Sequence, residues 1–153
     1  MKSSTLCYIE KDGAYLMMHR IKKKNDENHD KWIGAGGKLE KGETPDECVL
    51  REVMEETGFR LLEYRLRGII DFRSDIYEDE KMYLYTATEF EKISEPVSDE
   101  GVLEWIPKTE VGSLPIWEGD RLFFEELERD RGFFQMTLEY EGEKLKNSTL
   151  VLK

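Results

Sequence analysis

Residues 37–59 read GKLEKGETPDECVLREVMEETGF. Thr44 is placed to cap a helix, Pro45 suits its first position, and Glu47 completes a capping box with Thr44. Gly58 is the stop signal, so the helix is expected from Pro45 to about Thr57. At roughly 100° per residue, Glu52, Glu55 and Glu56 share a face spanning an arc of about 100°. Leu50, Val53 and Met54 fall on the other side, which is expected to pack on a core. Like charges one helical turn apart repel. A solvated acidic face is the plain explanation, and a hard divalent cation that takes oxygen ligands is the functional one.

Working outward, the preceding run Trp32-Ile33-Gly34-Ala35-Gly36-Gly37 is small behind an aromatic, which suits close approach of backbone to a ligand. It is not a P-loop. Gly37 and Gly42 have four residues between them, but Glu43 follows where Lys and then Ser or Thr are needed. Thr5–Glu10 and Ala14–His19 read as strands around the turn Lys11-Asp12-Gly13. The charged segment from Arg20 to Lys31 reads as a solvated loop, from which Arg20 and Lys23 could lean over an anion.

After the helix, strands are expected at Leu66–Phe72, Lys81–Phe90 and Val102–Ile106, with acidic loops between them. A helical turn is expected over Thr109–Leu114, a loop carrying Trp117 over Pro115–Gly119, and a second helix over Asp120–Arg131. That helix would bury Leu122, Phe123, Phe124 and Leu127. Phe133–Lys153 reads as a hairpin turning near Gly142. About six strands and two helices make an α/β protein, expected as one domain over residues 1–153.

The net charge of −11 argues against a nucleic acid polymer or an anionic membrane as partner. An anionic substrate would need a cation between it and the protein. Two cysteines without CxxC spacing, no apolar leader and no run of about 18 apolar residues point to a cytoplasmic protein with free thiols. Two scattered histidines make zinc a poor fit. No obligate protein partner is evident.

Gly37, Glu43, Arg51, Glu52, Val53, Glu55, Glu56, Gly58 and Phe59 match the Nudix box, G-x5-E-x7-R-E-U-x-E-E-x-G-U, at every fixed position. Seven fixed letters would occur by chance about once in 10⁸ windows. The chain therefore resembles the Nudix hydrolases, which cleave nucleoside diphosphates linked to another moiety. The opening hairpin, WIGAGGKLEKGET, SDEGVLEWIP and the helix start near Trp117 resemble the MutT-type 8-oxo-dGTP diphosphatases, more loosely than the box does.

The resemblance implies the Nudix fold, an α/β/α sandwich with a mixed β-sheet. It implies Mg2+, with Mn2+ as a substitute, held by Glu52, Glu55 and Glu56 and the carbonyl of Gly36. It also implies a Glu43–Arg51 ion pair, and Glu100 as a loop carboxylate near the metal. Either Glu52 or Glu100 would be the general base; Glu52 is favoured. A nucleoside triphosphate would be cut by water at the β-phosphorus, giving a monophosphate and pyrophosphate. Arg20 and Lys38 are candidates for the phosphates, and Phe72 and a partly exposed Trp117 for stacking the base. Asp120 or Glu118 would accept hydrogen bonds from a guanine edge. Vertebrate members carry adjacent aspartates after the tryptophan, where this chain has Glu118-Gly119-Asp120. Some carry Asn where Ile33 stands. ADP-ribose, a dinucleoside polyphosphate or a capped RNA end are the alternative substrates, and a non-catalytic nucleotide sensor the alternative role.

Overall fold

A computed structural model describes residues 1–21, 28–97 and 101–153. Among these residues, eight strands form a mixed sheet: β1 (Lys2–Lys11), β2 (Ala14–His19), β3 (Trp32–Ile33), β4 (Phe59–Ser74), β5 (Glu80–Lys92), β6 (Val102–Pro107), β7 (Phe134–Glu141) and β8 (Lys144–Leu152). The order is β3-β2-β1-β5-β4-β7-β8, with β6 on β2. β1 runs parallel to β5 and β4 parallel to β7, while the other pairs are antiparallel.

Helices α1 (Pro45–Thr57) and α2 (Asp120–Arg129) cover opposite faces of this sheet. The alternation of strand side chains builds a separate core under each helix. On β1, Cys7 and Ile9 pack with Val49 and Val53 of α1, whereas Tyr8 packs with Phe123 and Phe124 of α2. On β5, Tyr85 and Ala87 join the first core and Leu84 the second. These are the three layers of an α/β/α sandwich, the Nudix fold expected from the sequence.

Helix α1 has its expected bounds because its ends are set locally. Thr44 Oγ1 accepts from the Glu47 N–H at 3.1 Å, and Glu47 Oε1 accepts from the Thr44 N–H at 2.9 Å. Gly58 closes the helix in the left-handed conformation (φ 76°), its N–H bonded to the Met54 carbonyl at 2.9 Å.

Three expectations are corrected. β4 starts at Phe59 rather than Leu66, because register shifts between Leu61 and Gly68 break the alternation that marks a strand. The core side of α1 is Cys48, Val49 and Val53; Leu50 and Met54 are only partly buried. On α2, Leu122 is only partly buried. The turn before α2 is a 3-10 helix at Val111–Ser113. Among the described residues no helix is long and apolar enough to cross a membrane.

Candidate active site

The glycine run is zipped onto β1. Thr5 N–H bonds to the Gly37 carbonyl at 2.9 Å, Cys7 N–H to the Ala35 carbonyl at 2.6 Å, and Leu39 N–H to the Ser3 carbonyl at 3.0 Å. This brings residues 34–38 between β1 and the acidic face of α1. A Cβ on Gly37 would lie 2.6 Å from the Glu52 carboxyl carbon. The missing side chain is therefore the space that holds the Glu52 carboxylate. The close approach expected of the glycines is, in this structure, to β1 and to Glu52.

Arg51 organises the helix face. Its Nε and Nη2 donate to the two oxygens of Glu43 at 2.7 and 2.9 Å. Nη1 donates to Glu52 Oε1 at 2.8 Å and to Glu55 Oε2 at 3.3 Å. The bidentate pair, helped by the Glu40 N–H, lowers the Glu43 carboxyl to about 2. The same contacts raise the already high pKa of Arg51. The positive charge that the acidic face needs is thus supplied in part from within the box.

The three box carboxylates are not equivalent. Glu56 is 3% exposed and accepts from the Gly36 N–H at 3.3 Å. Glu52 and Glu56 line a cleft of about 380 Å³, whereas the Glu55 side chain is 45% exposed and lies outside it. Among the described residues, no three His, Cys, Asp or Glu side chains are gathered closely enough to hold a metal ion. The donor chemistry nevertheless fits Mg2+. Two carboxylates, Glu52 and Glu56, line the cleft together, and this ion takes one or two carboxylates with waters and phosphates. The contact seen at Gly36 is through its N–H, not its carbonyl.

Arg20, Lys38, Phe72, Trp117 and Asp120, all candidates from the sequence, line the same cleft. Glu100 and Lys23 lie outside the described residues. Glu118 points away, accepting from the Leu145 N–H at 3.0 Å, so Asp120 is the carboxyl that faces the cleft.

Trp117 departs from its expected partial exposure. It is 7% exposed and meets Phe72 and Tyr140 edge to face, with ring centroids 5.6 and 5.1 Å apart. Its Nε1 donates to Asn28 Oδ1 at 2.8 Å, and Lys31 Nζ sits 4.5 Å from its ring centroid. Neighbouring Pro, Glu and Gly suggested a loop surface, but β7 and the Asn28–Lys31 segment cover the ring. Asn28, Ser4, Glu80 and Met82 also line the cleft, and sequence reading missed them. Asn28 lies in a polar run with no pattern, and the others are ordinary strand residues in one dimension.

Burial pushes the Asp120 carboxyl up to about 8, against the smaller opposing pulls of Arg121 and Lys31. At neutral pH it carries its proton, so it offers an O–H donor as well as an acceptor; the sequence had suggested an acceptor alone. A raised carboxyl has a definite sign in stability. Below about pH 4 both folded and unfolded chains hold the proton. From there to about pH 8 only the folded chain does, so stability falls as pH rises, by at most about 1.4 kcal/mol per pH unit. Asp120→Asn removes this slope. Urea midpoints of the variant should gain on the parent between pH 5 and 8 and hold a constant margin above pH 9. Parallel profiles would show that Asp120 does not titrate in this range.

An α/β/α sandwich that places a Glu-rich helix against a glycine run at the mouth of a nucleotide-sized cleft defines a class of hydrolase. Residues 2–127 match the NUDIX domain. The chain belongs to the Nudix family and is a Nudix hydrolase. It is 26% identical over 143 residues to the uncharacterized Nudix hydrolase YvcI of Bacillus subtilis, covering 91% of this chain and 87% of that one. It is 32% identical over 126 residues to the oxidized purine nucleoside triphosphate hydrolase of Danio rerio, covering 80% and 77%. The crystal structure of a mutator MutT protein from Bacillus halodurans superposes with a TM-score of 0.85 at 28% identity, covering 98% and 97%.

Proposed function

We propose that residues 1–153 act as one Mg2+-dependent nucleoside triphosphate pyrophosphohydrolase, with oxidised purine nucleotides such as 8-oxo-dGTP as its substrates. The observation that carries the proposal is one shared cleft. It is lined by Glu52 and Glu56 of α1, by Phe72 and Trp117 of the core under α2, and by Asp120 at the start of α2. The resemblance to the Danio rerio enzyme supports an oxidised purine as the base.

Glu52 and Glu56 would hold Mg2+, joined by Glu55 once its side chain leaves Arg51. When bound, the ion neutralises polyphosphate charge and lowers the pKa of a water. The rest falls to the chain. Arg51 fixes the Glu52 carboxylate through Nη1 and keeps Glu43 ionised. Glu52 takes the proton of the attacking water, with Glu100 as its rival. Lys38 and Arg20 bring positive charge to the phosphates, and protonated Asp120 donates to a base oxygen or ring nitrogen. Phosphoryl transfer depends more on such positioning than on covalent help.

The test is a hydrolysis panel with Mg2+ over 8-oxo-dGTP, dGTP, dATP, ADP-ribose and diadenosine polyphosphates, with pyrophosphate and phosphate measured separately. The highest kcat/KM is expected for 8-oxo-dGTP, with pyrophosphate released. A preference for ADP-ribose or a dinucleoside polyphosphate would overturn the assignment.

A further inference from the structure

A short turn holds one amide side chain between Trp117 and the cleft. Arg20 N–H bonds to the Lys31 carbonyl at 3.0 Å, and Lys31 N–H bonds to the Asn28 carbonyl at 2.9 Å. Trp32 N–H bonds to the Pro115 carbonyl at 2.8 Å, two residues before Trp117, and Lys31 Nζ pairs with Glu143 in the β7–β8 turn. Residues 28–32 are therefore tied to β2, to the Trp117 loop and to the closing hairpin. Asn28 is half-buried, bonds to the Trp117 ring and lines the cleft.

The bond to Trp117 decides which way the amide faces. An indole N–H can only donate, so the atom it meets at 2.8 Å is the amide oxygen, Oδ1. The other end of the amide is then Nδ2, which carries two N–H donors and meets no acceptor among the described residues. This donor pair stands beside the ring proposed to meet the base, whereas the charged groups proposed for the phosphates are Arg20 and Lys38. Purines differ from one another at their exocyclic positions, where an oxygen accepts a hydrogen bond and an amine donates one. A fixed N–H pair suits the oxygen and meets the amine donor to donor.

Resting on the nucleotide reading above, we infer that Asn28 is a specificity residue whose Nδ2 donates to a carbonyl oxygen of an oxopurine base. The base can carry that oxygen at C6, as guanine does, or at C8, as an oxidised purine does. Either agrees with an 8-oxoguanine nucleotide, which carries both. One neutral hydrogen bond, set against a donor left unpaired, is worth about tenfold in affinity.

The experiment measures Kd for non-hydrolysable analogues of dGTP, 8-oxo-dGTP, dATP and 8-oxo-dATP, and kcat/KM for the natural triphosphates, in the parent, Asn28→Asp and Asn28→Ala. The parent should bind dGTP about tenfold more tightly than dATP if the oxygen read is at C6, and 8-oxo-dATP about tenfold more tightly than dATP if it is at C8. Asn28→Asp keeps an oxygen on Trp117 Nε1 and turns the donor into an acceptor. It should abolish the preference for the carbonyl, and at C6 reverse it in favour of the amine. Asn28→Ala should bring the same pair within about twofold, and supplies the answer should Asn28→Asp fail to fold. An Asn28 that only supports Trp117, or that meets the phosphates, would change all four affinities by one factor and leave their ratios as in the parent, which overturns the inference; so does a parent with no preference for a carbonyl. Carbonyl-selective binding without hydrolysis would sink the proposed reaction and leave the base contact standing. Hydrolysis without that selectivity would do the reverse.

Discussion

Glu56→Gln lowers kcat by about 10³-fold or more while leaving the fold intact. Glu56 is the most buried of the box carboxylates and lines the cleft. Its Oε1 accepts from the Gly36 N–H at 3.3 Å, and the amide oxygen of Gln keeps that bond. The substitution removes a negative charge and little else, so the glycine run should stay docked on β1. A loss in kcat at saturating substrate, rather than in KM, marks a group that acts in the transition state. The check is pyrophosphate release at saturating Mg2+, beside a melting curve that moves by no more than a few degrees. Turnover within tenfold of the parent would remove Glu56 from the chemistry.

Trp117→Ala has two effects, and the structure is what separates them. The ring is enclosed by Phe72, Tyr77 and Tyr140, so truncation leaves a cavity in the core under α2. The cost is about 3–5 kcal/mol, the range for deleting a buried aromatic. For a chain of this size that lowers Tm by about 10 °C or more. The ring also lines the cleft, so KM for purine triphosphates should rise much more than KM for pyrimidines. Trp117→Phe tests the second effect with less of the first. It keeps an aromatic face but gives up the bond from Nε1 to Asn28. Assays below the lower melting range should show the purine-selective rise in both variants, smaller in Trp117→Phe. Equal changes for purines and pyrimidines would leave Trp117 a core residue with no part in reading the base.

Much of the scaffold was readable one residue at a time. The bounds of α1 follow from Thr44, Pro45, Glu47 and Gly58 because caps and helix hydrogen bonds link residues three or four apart. The opening and closing hairpins follow from short alternations around Gly13 and Gly142. The first half of β4 is not marked by its own alternation, because its register shifts arise in its pairing with β5. The spacing from Gly37 to Phe59 likewise determined the family, since seven fixed letters in one window leave little room for chance.

Helical periodicity put Glu52, Glu55 and Glu56 on one face but could not rank them. Their ranking depends on where the glycine run docks: it covers Glu56, leaves a gap for Glu52 and exposes Glu55 to Arg51 and solvent. Trp117 looked half-exposed from its neighbours in sequence, and its burial comes from Lys31, Phe72 and Tyr140. Glu80 and Ser4 are 76 residues apart and meet only because β1 and β5 run parallel in register. The sequence by itself determined the family, the metal-binding chemistry it implies and the local elements, all carried by residues close along the chain. The tertiary structure decided which carboxylate is buried and which aromatic is fixed, because long-range pairing of segments places those side chains.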